Sequence, residues 1–74
     1  MVATSNPKLL FGKKLREVRQ KRGISQEKLA ELADLHRNFV GLAERGQQNV
    51  SLENITKLAR ALKVRPAELL ELIP

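Results

Sequence analysis

Residues 25–46 read SQEKLAELADLHRNFVGLAERG, two short apolar periodicities with almost nothing between them. Ser25 is a good N-cap, and Glu27 follows in the first turn, where the positive end of a helix dipole favours a carboxylate. A helix over about 25–33 turns Leu29 and Ala33 inward, while the small Ala30 and Ala33 let another helix come close. Asp34 and Leu35 alone separate it from a second helix over about 36–45, ended by Gly46. In that second helix Val40 and Ala43 stand at i, i+3 and face the core. The joint is too short for the two helices to lie side by side, so they cross steeply and the first braces the second.

Outward from this pair the pattern stays helical. Residues 1–6 (MVATSN) read as a flexible arm. Asn6 caps a helix whose first turn suits Pro7 and which runs to Arg22. Phe11, Leu15 and Val18 form its buried stripe, Lys and Arg its other faces, and Gly23 its left-handed end. After the polar Gln47, Gln48 and Asn49, Ser51 caps a helix over about 52–62 with Leu52, Ile55, Leu58, Ala59 and Leu62 inward. Val64 continues the apolar surface, and Pro66 opens a fifth, short helix carrying Leu69, Leu70 and Ile73. No strand alternation, hairpin or repeat is present. The fold class is all-α: a compact five-helix bundle containing a helix-turn-helix, with residues 7–74 as one domain.

Composition narrows the possible partners. Fourteen Lys/Arg against eight Asp/Glu give a net charge of +6, which favours an anionic partner. The two aromatics, Phe11 and Phe39, cannot form the stacking platform of a single-strand or RNA-binding sheet. No apolar run approaches the roughly 20 residues of a membrane span, and the N-terminus lacks a signal-peptide core. With no cysteine and one histidine, neither a disulfide nor a zinc site of ordinary ligands is expected, and no cofactor is implied. The missing cysteines are compatible with a reducing cytosol. A chain of this length buries only about 60–65% of its unfolded surface. Leu69, Leu70 and Ile73 are therefore expected to lie, at least in part, at a homodimer interface rather than only in the thin core.

The outer face of the second helix of the pair carries the function. With Val40 and Ala43 inward, His36, Arg37, Asn38, Gly41 and Arg45 lie largely off the buried stripe. Arg bonds bidentately to guanine O6 and N7, and Asn to adenine N6 and N7, in a major groove about 12 Å wide. Both types stand in the expected first turn, where recognition helices touch bases. Double-stranded DNA is the expected partner.

SQEKLA, LHRNFV, ERG, NVSLENI and PAELL, in this order from about Phe11 to Leu70, resemble the Cro/C1-type (XRE) helix-turn-helix regulators, and most closely the controller proteins of restriction–modification systems. The resemblance implies a bacterial cytoplasmic, nucleoid-associated regulator that binds a palindromic operator as a homodimer. It implies base reading by Arg37 and Asn38, flanked by His36 and Phe39. It implies phosphate contacts from Ser25 and Gln26 at a helix start and from Arg45, Gln47 and Asn49 at the other end. Arg19 and Glu44 match an ion pair tying the first helix to the third. Departures are Gly41, where controller proteins often carry Ser; the bulky Leu42; and Arg65, a poor N-cap for the fifth helix. Binding over a promoter represses, and binding just upstream recruits RNA polymerase as a further partner.

Two other functions fit less well. An antitoxin or adaptor using the same fold to cover another protein would usually carry an extra segment for its partner. An enzyme would need a nucleophile, phosphate loop or triad, and His36 on an exposed helix supplies none. No membrane or small-molecule partner is expected.

Overall fold

Asn6 Oδ1 accepts the backbone N–H of Lys8 at 2.9 Å, and this cap opens α1, Pro7–Arg22. The helix ends where Gly23 turns left-handed at φ 72°. In this computed structural model residues 6–74 are described; the arm expected over 1–6 lies, Asn6 apart, outside them. Ser25 and Ser51 start α2 (Gln26–Ala33) and α4 (Leu52–Leu62) in the same way, each hydroxyl accepting the N–H three residues on. Between them lies α3 (Phe39–Glu44), and α5 (Pro66–Leu69) follows. All five described elements are helices, none long and apolar enough to cross a membrane.

One core joins the five. Phe11, Leu15 and Val18 of α1 meet Leu29, Ala30 and Ala33 of α2, Val40 and Ala43 of α3, the Ile55–Leu62 stripe of α4, and Leu69. The closest pairings are α1 with α3 and α2 with α4, so α3 rests on α1 and α2 rests on α4.

Three sequence expectations need correction. The helix expected over 36–45 starts only at Phe39, and residues 34–38 form the turn. Asp34 takes the left-handed conformation (φ 58°), closes α2 through bonds to Ala30 and Glu31, and sends the chain out before it can coil again. The turn is held by its own histidine: His36 Nδ1 accepts the Asn38 N–H at 3.1 Å, and the His36 carbonyl accepts from Phe39 at 2.9 Å. Leu52, expected inward, is 80% exposed. It is the first residue of α4, and because helical side chains lean toward the N-terminus it projects past the end of the core. Leu69, expected at a subunit interface, is fully buried inside its own subunit.

Two features tie α1 to its neighbours. Near its middle, the Lys14 ammonium lies 2.8 Å from Glu71, past the end of α5, and 3.3 Å from Glu17. The hydrogen bond to Glu71 is the chief reason the Lys14 pKa rises, and its counterpart lowers that of Glu71. Near its start, Gly12 is buried where α1 crosses α3. A Cβ at position 12 would strike the Ala43 carbonyl and lie 2.6 Å from the Glu44 carbonyl oxygen. These are backbone atoms of a helix end and cannot swing aside.

The sequence shows this only as a lone glycine inside a helical run, a position that costs about 1 kcal/mol against alanine unless packing requires it. Here Gly12→Ala should destabilise despite its higher helix propensity, by about 1–3 kcal/mol. Thermal unfolding checks it, at about 4–8 °C per kcal/mol for a chain of this size; a raised Tm would show that α1 and α3 are further apart.

Candidate nucleic-acid interface

The site is built by fixing one side of α3 and leaving the other side bare. Val40 and Ala43 are 0% and 1% exposed. His36, Arg37, Asn38 and Arg45 are exposed. Arg37, Asn38, Gly41, Leu42 and Arg45 line one shallow cleft together with Gln26 from the start of α2. Gly41 itself is buried, covered by its neighbours: the site of its absent Cβ is 3.3 Å from Gln26 Oε1 and 3.5 Å from Arg45 Nη1.

Arg37 and Asn38 sit in the turn before α3, not inside its first turn as expected. Asn38 occupies the N-cap position but its side chain makes no capping bond, so the amide is not consumed by the helix start. His36 is differently placed. Its Nδ1 is committed as an acceptor within the turn, which puts the neutral ring's proton on Nε2 and leaves only that atom to face a ligand. Phe39 is half-buried and packs against the core.

The expected phosphate-contacting residues fall into two groups. Ser25 lies beside Arg37 along the neighbouring surface, its Oγ accepting from Lys28, and Gln26 joins the cleft. Arg45 Nε donates to Gln47 Oε1 at 3.2 Å, which links the two on the exposed surface. Asn49 stands apart, on the rim of an apolar groove between α1 and the C-terminal residues.

Behind this surface is a clasp between helices. Arg19 Nε donates to Glu44 Oε2 at 2.6 Å and Nη2 to Oε1 at 3.1 Å, while Nη1 donates to the Ile24 carbonyl at 2.9 Å. The Glu44 side chain is only 3% exposed. A carboxylate at the last residue of a helix faces the negative end of the dipole; the bidentate guanidinium offsets that and the desolvation. Gln26 Nε2 adds a third donor, 2.9 Å from Oε1. This contact was not anticipated from the sequence: the residues are 18 apart, and only the crossing of α2 over α3 joins them.

The helix-turn-helix family profile matches residues 15–69. The control protein C.BamHI of Bacillus amyloliquefaciens is 52% identical over 69 residues, spanning 92% of this chain and 85% of that protein. Among solved structures, the restriction–modification controller protein C.AhdI from Aeromonas hydrophila superposes with a TM-score of 0.81 at 57% identity, over 82% of this chain and 92% of that one. A hypothetical transcription factor from Neisseria superposes with a TM-score of 0.86 at 34% identity, over 95% and 82%.

Glu44→Ala leaves the Arg19 guanidinium facing only a carbonyl in a nearly closed site. Stability should fall by about 3 kcal/mol, the range for breaking one side of a buried pair. Urea unfolding measures this, and a loss under about 1 kcal/mol would mean the clasp is only a surface contact.

Proposed function

The chain belongs to the XRE-type helix-turn-helix family of DNA-binding transcription regulators, among the controller proteins of restriction–modification systems, and we propose that it acts as a homodimer on a palindromic operator. The observation that carries this reading is the opposition between α3 and the turn that leads into it: Val40 and Ala43 of α3 shut inside, Arg37 and Asn38 of the turn exposed with free side-chain donors. Arg37 reads guanine and Asn38 reads adenine from the major groove. Gln26 and Ser25, with the free N–H groups that open α2, and the Arg45–Gln47 pair hold the flanking phosphates.

The dimer buries the apolar groove lined by Pro7, Phe11, Val50, Ile55, Leu70 and Ile73. On this reading Leu70 and Ile73, which line the groove, lie at the interface, and the buried Leu69 does not. In such a dimer the two copies of α3 lie about 34 Å apart, one turn of DNA. Where the operator overlaps a promoter the dimer excludes RNA polymerase; where it lies just upstream it recruits polymerase.

Arg37→Ala should reduce affinity for the specific site by about 1–3 kcal/mol per half-site, relax preference at one base pair in each half, and leave non-specific binding unchanged. Titration of matched and scrambled duplexes distinguishes this from a uniform loss, which would make Arg37 a phosphate ligand. Ile73→Glu places a charge in the groove and should yield a monomer in sedimentation with operator affinity at least about tenfold weaker, a 1.4 kcal/mol change or more. A dimer of unchanged strength would move the interface elsewhere.

A further inference from the structure

Glu44 is shut away from solvent and can touch no ligand, yet one of its oxygens holds a residue that lines the cleft. We propose that Glu44 is a positioning residue for DNA binding: it aims the Gln26 amide across Gly41, so that Gln26 and Arg45 meet the DNA as a preset pair. This rests on the reading of Gln26 as a DNA contact.

The geometry allows one orientation of that amide. An ionised carboxylate only accepts, so the group facing Glu44 must be Nε2, and the observed Nε2–Oε1 distance is 2.9 Å. Glu44 cannot turn to accommodate the opposite orientation, because Arg19 grips both of its oxygens. Gln26 Oε1 and the second Nε2–H are then left for a ligand. The amide packs over residue 41: Oε1 stands 3.3 Å from where a Cβ would be, so a side chain there would push Gln26 aside by a few tenths of an ångström, and Arg45 Nη1 lies 3.5 Å from the same point. An exposed glutamine otherwise samples several rotamers and both amide orientations, and binding must freeze one of them. Here a buried charge has done so in advance. The same link makes the α1–α3 clasp part of the DNA-facing surface, although Arg19 and Glu44 stand behind it.

Glu44→Gln tests this with little change of shape. A glutamine at 44 has one acceptor oxygen; Arg19 takes it, and the NH₂ group then confronts Gln26 Nε2, donor against donor. The test is a double-mutant cycle on operator affinity with Gln26→Ala, run well below the Tm of every variant, with folded fraction followed by circular dichroism. Gln26→Ala, at an exposed position, should weaken binding several-fold with a smaller loss of Tm than Glu44→Gln. Glu44→Gln alone should weaken binding by a similar factor and also lower Tm. Placed in the Gln26→Ala background, Glu44→Gln should cost no further affinity while still lowering Tm. Full additivity of the two affinity losses overturns the positioning role and leaves Gln26 as a DNA contact. No loss from Gln26→Ala overturns both. If Glu44→Gln is not folded, Glu44→Asp, which keeps the charge for Arg19 but falls short of Gln26, replaces it in the same cycle with the same expected outcomes. In the free protein the Gln26 side-chain amide should show slowed hydrogen exchange by NMR that Glu44→Gln abolishes; free exchange in the unaltered protein also overturns the proposal.

Discussion

Everything on the DNA-facing side depends on α1 lying directly against the end of α3. The approach is so close that position 12 has no room for a methyl group, and it is this closeness that brings Arg19 within reach of Glu44. A six-residue helix has little stability of its own, since nucleation is costly and the few internal bonds recover little of it. The short α3 persists because Val40 and Ala43 are buried on one side and Glu44 is clasped at its end. The outward face can then be free of any structural duty, which suits a surface that must meet a second molecule.

The clasp is better understood as a device for orientation than as a source of stability. Removing two charges from water costs several kcal/mol per ion, and their attraction roughly balances it. What the pair adds is geometric: a bidentate guanidinium fixes the plane of the carboxylate, and the carboxylate fixes what else can bond to it. The polar elements behind the surface and those on it therefore form one chain of contacts, Arg19 to Glu44 to Gln26, ending in the cleft with Arg45 and Asn38.

Much of this is legible in the sequence alone. Asn6–Pro7, Gly23, Ser25 and Ser51 set helix ends through local bonds, and local bonds are written in neighbouring residues. The inward stripes of α1, α2 and α3 followed from spacing alone. The start of α3 did not, because the group that organises its turn is a histidine ring, and no capping rule assigns that role to histidine. Leu52 fits the α4 stripe by angle but overhangs the core by position, which depends on where α4 ends relative to the rest. Leu69 and Ile73 look alike as apolar residues near the C-terminus; only packing decides that one is inside and the other lines a groove. Gly12 and the Gln26–Glu44 bond are products of helix crossing, and no periodicity encodes a crossing angle.

The most direct measurement is in vitro selection of bound sites from random duplex DNA. If two outward-facing copies of α3 read base edges, the enriched sites will show a two-fold-related motif with half-site centres about 10–10.5 base pairs apart, and a G·C and an A·T pair fixed in each half. Enrichment of a solitary half-site, or of no sequence at all despite strong binding, would contradict it.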